Sequence, residues 1–125
     1  MKTHLRTGTV IFVSRRRPDA TVADDIEGHG LEMQWASSIA GAVALLNPPR
    51  EKTVVVTELA LPDGNWRDLV ERVGYMGILI PTVLVTSAIT AELWWDALEC
   101  GIEDILPASV DASRLFKLLE RQFAP

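Results

Sequence analysis

The stretch Val54–Trp66, VVVTELALPDGNW, contains the pattern that decides the fold of this chain. It begins inside a run, Thr53–Thr57, that is apolar on both faces, which is typical of a central strand in a parallel sheet. The run ends at a lone carboxylate, Glu58, and Pro62 follows four residues later at the start of a Pro-Asp-Gly turn. A carboxylate at the end of a buried strand is costly unless a partner there satisfies it. Glu58 is therefore a candidate functional residue.

Short apolar runs alternate with amphipathic segments on both sides of this stretch. Five runs have the length and composition of strands, and they begin at Thr9, Leu31, Thr53, Thr82 and Glu103. Apolar residues at helical spacing follow each run. This alternation predicts a parallel sheet with helices on both faces and right-handed crossovers. We therefore predict an α/β protein with a flavodoxin-like (βα)5 doubly wound parallel sheet, strand order 2-1-3-4-5.

Capping residues mark several of the predicted helices. Ser37 or Ser38 is predicted to cap the second helix and Thr90 the fourth, and Asp111 starts the fifth. No composition shift or linker interrupts the pattern, so residues 1–125 are predicted to form one domain.

The composition is ordinary for a soluble globular protein, with 48% apolar and 23% charged residues. The net charge of -5 argues against nucleic acid as the main partner. No apolar run approaches the roughly 20 residues of a membrane helix, and the N-terminal apolar run is interpreted as a strand, not a signal peptide. A single cysteine, Cys100, fits a cytoplasmic location. No nucleophile elbow, phosphate loop or metal-ligand spacing occurs in the sequence.

Four segments resemble a known family. They are residues 57–64 (TELALPDG), residues 80–87 (IPTVLVTS), residues 97–106 (ALECGIEDIL) and the helix from Asp111. Their order and spacing are similar to those of the CheY-like receiver domains of response regulators. In that family, an aspartate after the third strand accepts a phosphoryl group from a histidine kinase. An acidic pair after the first strand helps to hold Mg²⁺, and a hydroxyl and a lysine bind the phosphoryl oxygens.

This sequence departs from the family at nearly every site position. The acidic pair falls on Ser14 and Arg15 or, with a shift of one residue, on Arg15 and Arg16. The other positions, in the order acceptor aspartate, hydroxyl, lysine and aromatic switch, carry Glu58, Thr86, Ala108 and Ile105. Of these, Thr86 alone keeps the family's residue type. Because Mg²⁺ binds poorly without carboxylates, we expect no Mg²⁺ or other cofactor and no phosphotransfer. The resemblance therefore indicates a degenerate pseudo-receiver.

Two interpretations of Glu58 remain open. In one, its longer side chain mimics the charged, activated state, and Thr86 donates a hydrogen bond to it. In the other, Arg15 or Arg16 neutralises it in a partly buried pair, whose disruption would cost about 3–5 kcal/mol if burial is deep. The two interpretations are compatible.

The predicted role is a non-enzymatic protein-protein interaction module whose partner is of histidine kinase or output-domain lineage. By the family pattern, Trp94 faces the sheet while Trp95 and Leu98 point outward, where receivers make dimer and effector contacts through the fourth helix, fifth strand and fifth helix. Trp95 lying flat on its own domain is the alternative. Two other functions stay open: an anion or small-ligand sensor using the arginine run, and a still phosphorylatable response regulator.

Overall fold

The computed structural model describes residues 8–47, 52–76, 80–108 and 112–122. Within these ranges, no helix has the length and apolarity needed to cross a membrane. In chain order the elements are β1 (Gly8–Val13), α1 (Ala20–Gly28), β2 (Leu31–Ala36), α2 (Ile39–Leu45), β3 (Thr53–Thr57), β4 (Ala60–Leu61), β5 (Gly64–Asn65), α3 (Trp66–Tyr75), β6 (Thr82–Val85), α4 (Ala91–Glu99), β7 (Asp104–Leu106) and α5 (Ala112–Gln122).

Five of these strands form one sheet in the order β2-β1-β3-β6-β7. All neighbouring pairs in it are parallel. Since β6 and β7 are its fourth and fifth strands along the chain, the predicted order 2-1-3-4-5 is confirmed. The fold is therefore the predicted flavodoxin-like doubly wound sheet.

Helices cover both faces of the sheet because its central strands are apolar on both sides. Ile26 of α1 and Leu115 of α5 pack on one face. Ile39 of α2 and Leu69 of α3 pack on the other, and Ala97 of α4 extends that layer over β6 and β7. All five side chains are at most 2% exposed. Burying an aliphatic side chain of the size of leucine contributes about 1.5–3 kcal/mol, so these layers hold the strand ends in fixed positions.

The helix caps follow the sequence signals. Ser38, one of the two predicted alternatives, caps α2, and its hydroxyl accepts a hydrogen bond from the Gly41 amide at 3.0 Å. Thr90 caps α4 through the Leu93 amide at 3.1 Å, as predicted. The predicted start of the last helix, Asp111, lies outside the described residues.

One predicted orientation on α4 is wrong. Trp94 is 39% exposed instead of facing the sheet. Leu93 and Cys100 pack in the same cluster as the buried Ala97, and their i, i+4, i+7 spacing makes them the inner stripe of the helix. Trp94 lies about 100° round the helix from Leu93, which turns it partly to solvent.

A short hairpin after β3 was not predicted. Strands β4 and β5 pair antiparallel, with Ala60 opposite Asn65 and Leu61 opposite Gly64. The Pro-Asp-Gly turn was predicted here, but strands of two residues are too short to show an alternating pattern.

Candidate functional site

A crevice opens at the carboxyl ends of β1, β3 and β6, the edge at which doubly wound sheets bind ligands. Its volume is about 520 Å³, and residues 12–19, 22, 56–60, 85–87 and 108 line it. Most of the predicted site positions lie here: Ser14, Arg15, Arg16, Glu58, Thr86 and Ala108. Ile105 does not line the crevice, because its side chain is 3% exposed and packs in the core beneath α4.

Glu58 is held by Arg15, not by Arg16. The Glu58 amide donates to the Val13 carbonyl at 3.1 Å, which extends the pairing of β1 and β3 by one residue. The Arg15 amide donates to Glu58 Oε1 at 2.8 Å, and Arg15 Nε lies 3.7 Å from the same oxygen. The Arg15 and Glu58 side chains are 64% and 37% exposed. The pair is thus more exposed than predicted, and water screens it.

Ser14 fixes the start of the loop that carries the arginines. It is buried, and its hydroxyl donates to the Arg16 carbonyl at 2.6 Å. The Ser14 carbonyl accepts a hydrogen bond from Trp35 Nε1 at 3.0 Å. The first position of the acidic pair therefore holds a residue that shapes the loop and brings no negative charge.

Arg16 and Arg17 lie exposed at the rim of the crevice. The Arg17 guanidinium carbon is 5.8 Å from the centroid of the Trp35 ring, close enough for a cation-π contact. Within the described part of the chain, the Arg16 guanidinium has neither an ion pair nor a hydrogen bond. Arg15, Arg16 and Glu58 also enclose a smaller space of about 350 Å³ at the rim.

Thr86 shares the crevice with Glu58 but makes no hydrogen bond to it. Its hydroxyl accepts a hydrogen bond from the Ala88 amide at 3.1 Å, the only hydrogen bond that this hydroxyl makes among the described residues. The hypothesis that Thr86 donates to Glu58 is therefore wrong for this conformation. Ala108, at the lysine position, contributes only a methyl group to the crevice wall.

The sequence revealed no role for Asp63 beyond the turn, yet this carboxylate binds α2. Its Oδ1 accepts a hydrogen bond from the Ile39 amide at 2.9 Å, and its Oδ2 accepts one from the Ala40 amide at 3.1 Å. These amides begin α2 and have no partner within the helix. The two hydrogen bonds hold the pKa of Asp63 below its ordinary value of 3.8. Asp63 is thus a cap for α2 supplied from the hairpin turn.

The side chains in the crevice do not fit Mg²⁺, which prefers several oxygen ligands in octahedral geometry. The crevice offers two carboxylates, Asp19 and Glu58, and the Arg15 guanidinium lies beside the second. Across the described ranges, no three His, Cys, Asp or Glu side chains come together in a group that could hold a metal ion. The charges of the crevice suit an anion better than a cation.

A separate apolar surface lies on α4. Trp94, Trp95 and Leu98 are 39%, 68% and 60% exposed, and we call them the α4 patch. Asp96 forms an ion pair with Arg67 of α3, so this side of the helix faces α3. Trp94 and Leu98 are each two residues from Asp96, or about 200° round the helix, which places them on the side away from α3.

Several solved structures with a similar fold are receiver domains or response regulators. A two-component response regulator from Clostridium difficile has a TM-score of 0.78 at 16% identity, covering 94% of this chain and 99% of that chain. The non-phosphorylated HemR receiver domain from Leptospira biflexa has a TM-score of 0.71 at 24% identity, with coverages of 94% and 95%. A CheY-like receiver domain from Methanospirillum hungatei has a TM-score of 0.68 at 16% identity, with 92% of both chains covered.

No protein-family model matches the chain, and no curated protein matches it. At these low identities the structural similarity establishes the fold alone. The chain therefore has the CheY-like receiver fold, with a crevice at the same edge of the sheet that the resemblance indicated.

Proposed function

We propose that this protein is a two-component-type signalling module that acts through protein-protein contacts and is not phosphorylated. The supporting observation is at the acceptor position, where Glu58 stands in place of aspartate and its Oε1 accepts the Arg15 amide beside the Arg15 guanidinium. A carboxylate held in this way is a poor ligand for Mg²⁺, and phosphoryl transfer depends on the metal to neutralise charge. The module is thus a degenerate pseudo-receiver, without enzyme activity or a metal cofactor.

The proposed partner is a protein of histidine kinase or output-domain lineage, or a second copy of the chain. The α4 patch is the proposed contact surface, since adjacent exposed apolar side chains mark interaction sites and tryptophan is enriched at interface hot spots. Helix α4 packs beside the edge strand β7 and α5 packs on the opposite face of the sheet, so the proposed surface includes β7 and α5. The acidic net charge of -5 disfavours nucleic acid as a direct partner, and the cytoplasm is the proposed location.

The proposal is tested by incubating the purified protein with acetyl phosphate and Mg²⁺ and measuring its intact mass. We expect no gain of a phosphoryl group, while a receiver domain with the complete acidic set gains one in the same reaction. Beryllofluoride with Mg²⁺, which mimics a phosphoryl group on a carboxylate, should leave the melting temperature unchanged. Both results follow from the lack of a metal site.

A phosphoryl gain that disappears in Glu58→Ala would contradict the proposal and support a phosphorylatable response regulator. A gain that persists in Glu58→Ala would contradict it as well, and would assign the acceptor to another residue.

A further inference from the structure

The crevice has a cationic rim in an acidic protein. Three consecutive arginines, residues 15–17, line it together with two carboxylates, Asp19 and Glu58. The crevice therefore carries a formal excess of one positive charge, whereas the whole chain carries -5. A cleft with an excess of one sign of charge favours ions of the opposite sign, so this one favours anions.

Two of the three guanidinium groups are available to a ligand. Arg15 is engaged with Glu58, but the Arg16 guanidinium has no hydrogen bond or ion pair among the described residues. The Arg17 guanidinium carbon lies 5.8 Å from the centroid of the Trp35 ring, and the N–H groups of this guanidinium have no hydrogen bond or ion pair among the described residues. A guanidinium donates two parallel hydrogen bonds to a phosphate, so the pair offers several donors to one anion.

The crevice is larger than an inorganic anion and has apolar walls. Val85 of β6, Val22 of α1 and Leu59 are half-buried and provide its accessible apolar surface, and the buried Phe12 and Val56 also line it. The volume of about 520 Å³ lies within the range of about 300–1,000 Å³ that is usual for small-molecule sites. A ligand with an apolar body would remove these walls from water, which a bare phosphate does not.

We propose that the crevice binds a small organic phosphate monoester without Mg²⁺. Arg16 and Arg17 hold the phosphate at the rim, and an apolar or aromatic body lies against Val22, Leu59 and Val85. The Glu58 carboxylate stands nearby and weakens binding by charge repulsion. Such binding needs neither phosphotransfer nor a protein partner, so it stands or fails separately from the signalling role.

Phenyl phosphate is a suitable probe because it combines a phosphate with a single aromatic ring. We propose to titrate the ¹⁵N-labelled full chain with it at low ionic strength in the presence of EDTA, and to follow the indole N–H signals of the four tryptophans. Because Arg17 lies over Trp35, a ligand that draws on Arg17 should shift the Trp35 signal saturably. The signals of Trp94 and Trp95, on α4, should not move. Inorganic phosphate should bind more weakly, and phenol should not bind.

Three variants test the assigned roles. Arg16→Ala should raise the dissociation constant about tenfold, the usual effect of losing hydrogen bonds to a charged group. Arg121→Ala removes an exposed arginine of α5 that does not line the crevice, and should leave the constant unchanged. Glu58→Gln removes the opposing charge and should lower the constant severalfold.

Three outcomes would overturn the proposal. The first is the absence of saturable shifts at millimolar phenyl phosphate. The second is equal weakening by Arg16→Ala and Arg121→Ala, which would indicate diffuse attraction instead of a site. The third is binding that needs Mg²⁺ or is lost in Glu58→Gln, because either result would make Glu58 a ligand for a metal.

Discussion

Asp63 connects the turn after β3 to α2 with a single side chain. Its two oxygens accept the Ile39 and Ala40 amides, and Ser38 Oγ accepts the Gly41 amide. The first three amides of α2 therefore all have acceptors. Because the ionised carboxylate is the better acceptor, these hydrogen bonds depress its pKa, and its ionisation is coupled to folding.

Asp63→Ala should lower the melting temperature at neutral pH, because the amides of α2 lose this cap. The pKa of Asp63 is depressed in the folded state, so its stabilisation is present above the unfolded value, near 3.8. It is lost as the pH falls through the lower folded pKa. Thermal unfolding of both proteins between neutral and acidic pH should show the gap closing only at acidic pH.

Asp19→Ala is the matched control. Asp19 also precedes a helix, but its side chain makes no capping hydrogen bond to α1. We expect a smaller change in melting temperature than for Asp63→Ala. An equal change in both variants would mean that general helix-dipole effects, and not the hydrogen bonds of Asp63, set the stability.

Glu58→Gln should change the free energy of unfolding by less than about 1 kcal/mol, the usual range for exposed ion pairs. The glutamine keeps an oxygen that can accept the Arg15 amide, and the lost charge faces water. Urea unfolding of the variant and the original protein measures the difference. A loss of about 3 kcal/mol or more would show that the pair is buried in solution, as in the stronger form of the sequence-based hypothesis.

At the scale of elements, the β4–β5 hairpin connects β3 to α3 through Gly64. The φ angle of Gly64 is 152°, in a region that residues other than glycine rarely adopt. An added Cβ would lie 2.6 Å from Asp68 Oδ2 and 2.8 Å from Ile39 Cδ1. Asp68 Oδ2 also accepts the Asn65 amide in the capping box of α3, so the close approach couples the hairpin to that helix.

Gly64→Ala should therefore cost about 1–3 kcal/mol of stability from backbone strain, with a further loss if the capping box opens. Gly74→Ala, inside α3 with nothing within 4 Å of the added Cβ, should be neutral or stabilise by up to about 1 kcal/mol. Urea unfolding of the two variants separates the effects. Equal free energies of unfolding for Gly64→Ala and Gly74→Ala would show that the hairpin backbone relaxes to accept the added Cβ.

The inner face of α4 shows why the predicted orientation of Trp94 was wrong by one residue. The sequence offers large apolar residues at consecutive positions, and Leu93, Trp94 and Trp95 compete for the same inward direction. Tertiary packing selects Leu93, whose spacing from Ala97 and Cys100 forms one stripe in the core. Apolarity alone cannot rank such neighbours, since the choice depends on the space above β6 and β7.

At the scale of the whole molecule, the topology was predictable because strands such as Thr53–Thr57 are apolar on both faces and alternate with amphipathic helices. The residues around the crevice were predictable for a related reason: parallel strands end at one edge. The contacts that these residues make were not predictable. Which arginine contacts Glu58 depends on the path of the loop after β1, and the contact of Asp63 with Ile39 spans 24 residues. No periodicity in the sequence encodes the contact of Glu58 with Arg15 or the contact of Asp63 with Ile39.

The surface formed by α4, β7 and α5 has features suited to pairing two copies of the chain. Its apolar centre is the α4 patch, and β7 is an edge strand of the sheet. Helix α4 exposes the acids Glu92 and Glu99, whereas α5 exposes the bases Lys117 and Arg121 and also Arg114, which pairs with Asp104 of β7. A two-fold axis brings the same surface of each copy together, so acidic α4 can face basic α5 of the partner.

We therefore expect concentration-dependent dimerisation in sedimentation equilibrium, weakened by Trp95→Ser together with Leu98→Ser and, to a lesser degree, by high salt. Tyr75→Ser is the matched control, because Tyr75 is an 81% exposed aromatic residue at the end of α3, outside the patch. It should leave the dimer intact. A dimer that survives the double substitution would place the interface elsewhere. A monomer at all concentrations would contradict the expected dimerisation.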